Sequence, residues 1–141
     1  LSYNQQKDYI KAIEEFTAAL KLNPREADTY SARGLAYAYQ GQYLQAGQDF
    51  QKAIELNPVN AKYYNNRGFI LGKQRLFPAA LNDFNRAIEL NPAFTEAYFN
   101  RGSAYTEMNN QVSAEADFKR ALQLDPKDDE SRQALSKLRV R

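Results

Sequence analysis

The stretch Tyr64-Asn65-Asn66-Arg67-Gly68-Phe69-Ile70-Leu71 has two echoes in the chain. Tyr30-Ser31-Ala32-Arg33-Gly34-Leu35-Ala36-Tyr37 precedes it by 34 residues, and Tyr98-Phe99-Asn100-Arg101-Gly102-Ser103-Ala104-Tyr105 follows at the same distance. A second signature keeps that period. Ala46, Phe50 and Ala53 return as Ala80, Phe84 and Ala87, then as Ala114, Phe118 and Ala121, and Ala12, Phe16 and Ala19 fit one period earlier. Asn23-Pro24, Asn57-Pro58, Asn91-Pro92 and Asp125-Pro126 punctuate the series. A fixed period in this range marks stacked supersecondary units rather than one globular core.

Spacings of three, four and seven place the Ala and Phe side chains on one face of a helix. Each unit therefore reads as two helices. Helix A is expected just after the Asn-Pro or Asp-Pro step, where Asn or Asp caps and Pro suits an early helical position. Helix B follows a break at Gln40-Gly41-Gln42, at 73–76 or at Asn109-Asn110. Pro78 falls near the start of its helix B, where a missing N–H costs little. Gly34, Gly68 and Gly102 sit mid-helix, with Ala46, Ala80 and Ala114 twelve residues on. Small residues facing small residues would let antiparallel helices approach closely, with the Tyr and Phe columns filling the space between hairpins.

This order of aromatic, small residue and proline resembles the tetratricopeptide repeat (TPR) family. The resemblance implies an all-α, right-handed α-solenoid of antiparallel helix-turn-helix units. Complete repeats are expected at 27–60, 61–94 and 95–128. Residues 1–26 match a partial first repeat, the end of a helix A plus a helix B, with Tyr3, Ala12, Phe16, Ala19 and Pro24 in register. Residues 129–141 match a C-terminal capping helix. The chain departs from the family pattern in four ways. Tyr replaces the frequent first Trp, Arg33, Arg67 and Arg101 occupy a hydrophobic position, Leu71 replaces Tyr, and Gln111 replaces the aromatic that opens helix B. The RNA-reading pentatricopeptide family fits less well, since its period is 35 and no basic column is obvious.

Composition narrows the chemistry. The 141 residues contain no Cys and no His, which removes thiolate chemistry, the commonest general base and the usual zinc ligands. The net charge of +2 is too small to argue for nucleic acid. Glycines are scattered at repeat positions and cradle no phosphate. No catalytic residues, metal site or cofactor are expected. No apolar run approaches the roughly 18 residues of a membrane span. Neither compartment nor pathway is legible, with the cytoplasm slightly favoured. The start at Leu1 suggests a fragment of a longer array.

The recurring Arg residues each have an Asp 16 residues on, giving expected structural pairs Arg33–Asp49, Arg67–Asp83 and Arg101–Asp117. In the TPR family the A helices line a concave groove that takes an extended peptide or a partner helix. That resemblance carries over Asp28, Ser31, Ala32, Leu35, Ala38 and Tyr39. The next repeat contributes Lys62, Asn65, Asn66, Phe69, Gly72 and Lys73. The third contributes Glu96, Phe99, Asn100, Ser103, Thr106 and Glu107. Within this set Leu35, Tyr39, Lys62, Asn65, Asn66, Phe69, Lys73, Phe99, Asn100 and Ser103 are the expected partner-binding residues. Asn66 and Asn100 form a two-rung amide ladder for a peptide main chain, broken at Ala32. Leu35, Phe69 and Phe99 supply apolar surface. A dicarboxylate clamp for chaperone C-termini is not expected, because Ala32 stands where Asn is required and Glu96 where Lys is. The expected function is a non-enzymatic interaction scaffold. The alternatives are self-association through an uncapped N-terminal edge, and a regulatory segment of a larger enzyme.

Overall fold

The computed structural model describes residues 1–140, without the side chain of Val140. Arg141, counted above in the capping helix, lies outside the described residues. Eight helices follow one another: α1 (Tyr3–Leu22), α2 (Ala27–Tyr39), α3 (Tyr43–Leu56), α4 (Ala61–Lys73), α5 (Phe77–Leu90), α6 (Thr95–Glu107), α7 (Gln111–Leu124) and α8 (Asp129–Val140). There is no strand among the described residues. The pairs α2–α3, α4–α5 and α6–α7 are the tightest hairpins, stacked in chain order. The A helices α2, α4, α6 and α8 also touch their nearest counterparts, while α3, α5 and α7 do not touch one another. The array therefore curves with its A helices on the inner side, as an α-solenoid does.

The turns inside the hairpins repeat with the sequence. Gly41 (φ 76°), Arg75 (φ 63°) and Asn109 (φ 58°) each adopt the left-handed conformation that ends a helix. The next residue's N–H then reaches back to the carbonyl of Tyr37, Leu71 or Tyr105 at 2.8–2.9 Å. Residues 1–6 do not follow this pattern and correct the expected division of the first unit. Ser2 and Gln5 form a capping box, and α1 runs unbroken from Tyr3 to Leu22, so no turn separates the end of a helix A from the helix B.

The Asn-Pro steps also differ from expectation. Asn23, Asn57, Asn91 and Asp125 do not start the A helices; they end the B helices as C-caps. Each side-chain oxygen accepts the backbone N–H two residues on, at 3.3, 3.5, 3.2 and 3.1 Å. This Asx turn reverses the chain, and Pro occupies the turn itself. The following helix closes it: the Tyr30, Tyr64 and Tyr98 hydroxyls donate to the Pro24, Pro58 and Pro92 carbonyls at 3.1, 2.9 and 3.0 Å. Arg132 stands in the Tyr position in α8 and donates to the Pro126 carbonyl instead. Tyrosine thus supplies both packing surface and a loop clasp.

The close approach inside each hairpin is glycine on phenylalanine, not glycine on alanine. A Cβ at Gly34, Gly68 or Gly102 would sit 2.8, 2.7 or 2.8 Å from Cε1 of Phe50, Phe84 or Phe118. Those three rings are at most 2% exposed. Burying each contributes on the order of 2–3 kcal/mol. Ala46, Ala80 and Ala114 are fully buried in the same clusters. At the C-terminal end Leu135 and Leu138 of α8 cover Ala114 and Phe118. At the other end Phe16 is half-buried and Ala19 exposed, so the front of α1 is open.

Candidate functional site

The three Arg–Asp pairs are bidentate. Nε and Nη2 of Arg33, Arg67 and Arg101 donate to both oxygens of Asp49, Asp83 and Asp117 at 2.7–2.8 Å. The carboxylates are buried. Hydrogen bonding to the Asp raises each guanidinium above its ordinary value, against the opposing effect of burial. The remaining Nη1 reaches the preceding helix B, donating to Thr17 Oγ1 from Arg33 (3.2 Å) and to Asn85 Oδ1 from Arg101 (2.9 Å). Arg67 makes no such bond; the corresponding residue is Gln51, which donates to Glu55. The Arg column thus binds helix A to helix B within each hairpin, and Arg33 and Arg101 also tie it to the preceding helix.

The inner surface carries a second register, in which residues 35 apart meet across neighbouring A helices. The Tyr63 hydroxyl donates to Asp28 Oδ1. Burial, and then this bond, push the Tyr63 phenol up to about 12. Asn100 Nδ2 donates to Asn65 Oδ1 at 3.0 Å, and Asn66 Nδ2 contacts Ser31 Oγ at 3.5 Å. Asn65 is therefore a correction. It is 1% exposed and presents no surface to a partner; its role is to hold Asn100. Its own Nδ2 is buried without a hydrogen-bond acceptor. Asn66 and Asn100 each keep Oδ1 and one amide hydrogen uncommitted.

Leu35 is half-buried and packs against the core residues Ala46, Phe50 and Ile70. Tyr39 is exposed but stacks on Tyr9, ring centroids 5.3 Å apart, at the front of the array. Lys62 lines a separate cavity of 640 Å³ at the loop edge, with Asn57, Asn91 and Glu96. Of the other predicted residues, all but Asn66 converge. Phe69, Lys73, Phe99, Asn100 and Ser103 line one cavity of 530 Å³ between α4 and α6. Phe99 and Ser103 also line a neighbouring cavity of 310 Å³ between α6 and α8. Phe69 is 40% exposed, and the Lys73 ammonium lies 5.2 Å from its ring centroid. Phe99 leans on Phe118, centroids 5.8 Å apart.

Sequence reasoning missed the contribution of α8. Gln133, Ala134 and Lys137 form one wall of the smaller cavity. The signal was present: Ala134 keeps the phase of Asn66 and Asn100, 34 residues on, which sets α8 in line with the A helices. Phe77 and Phe84 were also missed; they reach the floor of the larger cavity from α5. No described helix is long and apolar enough to cross a membrane.

Comparison with known proteins agrees with this architecture. The TPR_1 tetratricopeptide repeat model matches residues 27–60, 61–94 and 95–128, and the TPR_11 repeat model matches 1–41. The TPR domain of Arabidopsis OM64 is 30% identical with a TM-score of 0.79, over 81% of this chain and 94% of that one. The first TPR of Spaghetti (RPAP3), solved bound to the HSP90 peptide SRMEEVD, is also 30% identical, with a TM-score of 0.79 over 82% of this chain and 91% of that one. Pseudomonas aeruginosa pilF shares the fold at 22% identity, with a TM-score of 0.87 over 96% of this chain and 62% of that one. No curated protein sequence matches significantly. Three consecutive repeat matches, on hairpins stacked with the same period, show that the chain belongs to the tetratricopeptide repeat family.

Proposed function

We propose that the chain is a protein-interaction scaffold that binds an extended peptide, or an extended segment of a partner, along its A helices. The observation that carries this reading is the convergence of exposed Phe69, half-buried Phe99 and anchored Asn100 on one cavity. Apolar walls supply affinity and a fixed amide holds a main chain, the usual division of labour in peptide grooves. Peptide binding by RPAP3 supports the class of ligand. The ligand itself differs, because Ala32 and Glu96 stand where a dicarboxylate clamp needs Asn and Lys. Groove charge is mixed, so affinity should be modest and weakly salt-dependent.

Selection of random displayed peptides on the immobilised chain, followed by amide shift mapping, tests this reading. Shifts should cluster at Phe69, Asn100 and Ser103. Clustering on the outer faces of α3, α5 and α7 would overturn it. The open front of α1 favours self-association as a second reading: Tyr3, Ile10 and Leu22 are 70%, 49% and 90% exposed. Sedimentation as a monomer at every concentration would remove that reading.

A further inference from the structure

Resting on the groove reading, we infer that the cavity beside Gly72 is a subsite for one large apolar peptide side chain with a carboxylate close to it, held by Lys73. Phe69, Phe77, Phe84 and Phe99 line this cavity, whose 530 Å³ falls in the range of about 300–1,000 Å³ usual for small-ligand sites. Residue 72 on its lining is glycine, and the space beside it is open: a Cβ there would meet no atom within 4 Å. The same place in the neighbouring repeats holds Ala38 and Thr106, so the repeat itself does not require the opening. Phenyl walls around an open notch favour an apolar occupant, since both surfaces leave water together.

The rim decides the charge of the neighbouring group. Arg75 is paired with Glu107 at 3.3 Å, which cancels both locally. Lys73 has no carboxylate partner among the described residues. Its ammonium rests over the Phe69 ring, where low-dielectric surface strengthens its attraction for an anion. Asn100 lies on the same lining, its amide aligned by Asn65 and its Oδ1 free for the ligand main chain. The occupant that satisfies all three is an extended segment with Leu, Ile, Met or Phe beside Asp or Glu.

The probes are the peptides enriched in the display selection, labelled and read by fluorescence anisotropy. They should share a large apolar residue within two positions of an acid. Gly72→Leu should weaken them by about tenfold or more while keeping the helical circular dichroism and an unfolding midpoint no lower than that of the unsubstituted chain. Lys73→Glu, at an exposed position, should weaken them roughly three- to tenfold, and a peptide with Lys in place of its acid should recover on that variant. Enriched peptides without the apolar–acidic pair, or full affinity for both variants, would overturn the subsite. In that case lost binding to Asn66→Ala would leave the groove reading standing. Failure to enrich any peptide would remove both.

Discussion

Replacing Gly68 by alanine should destabilise the chain, although alanine is the better helix former. In isolation the change favours the helix by about 0.5–1 kcal/mol. At Gly68, however, the new methyl would stand 2.7 Å from Phe84 Cε1 and 2.9 Å from Cδ1. Phe84 is 2% exposed and cannot swing away without moving Ala80 and Ala104, which pack in the same cluster. Overpacking of this kind costs about 1–3 kcal/mol, so the net loss after the helix gain should be up to about 2.5 kcal/mol. Gly72→Ala, one turn later in the same helix, is the control. Nothing lies within 4 Å of its Cβ, so it should gain about 0.5 kcal/mol. Urea unfolding followed by circular dichroism would report the two variants as midpoint shifts of opposite sign. If Gly68→Ala proves as stable as Gly72→Ala, the packing argument is wrong.

Removing one partner of a hairpin ion pair should be costly. Asp83→Ala leaves Arg67 partly buried and unpaired, and should destabilise by about 2–3 kcal/mol in the same urea assay. Asn100→Ala strands the buried Asn65 oxygen and should cost about 1–2 kcal/mol, whereas Asn66→Ala gives up only a 3.5 Å contact and should cost under about 0.5 kcal/mol. Tyr63 should titrate late in an alkaline absorbance scan, a step that vanishes in Tyr63→Phe. Its phenol is raised from 10.0 to about 12 in the folded chain, so its stabilising contribution is whole below pH 10 and is lost as pH rises through 12. A scan unchanged by Tyr63→Phe would show that Asp28 and burial do not hold that proton.

The period alone made the hairpins legible, because a recurring face of Ala and Phe has few ways to be buried. The Arg–Asp pairs were legible for the same reason: 16 residues is the separation that brings facing positions together in each hairpin. What sits in the space beside a small residue was not. Gly68 implies a close neighbour, but only the placed helices show a Phe ring there instead of Ala80. Asn57 and Asn91 are strong caps by type, and a cap can end one helix or begin the next; the Asx turn decides for the end. In the groove, Asn65 and Asn66 are adjacent in sequence, yet one points into the array and the other lines its surface. A rotation of roughly 100° per residue separates their fates, and no repeat count supplies that phase to within a side chain.

The Arg straps to the preceding helix B imply that these repeats are not interchangeable modules. Position 17 is Thr, 51 is Gln, 85 is Asn and 119 is Lys, and each faces the seam to the next unit at the same phase. Exchanging the second and third repeats would present Arg101 to Gln51 and set Arg67 against Lys119, replacing an accepted hydrogen bond with like charges. A shuffled array would keep its period and its hairpins and still assemble poorly. The order of the units is written in seam positions, this one among them, that do not recur.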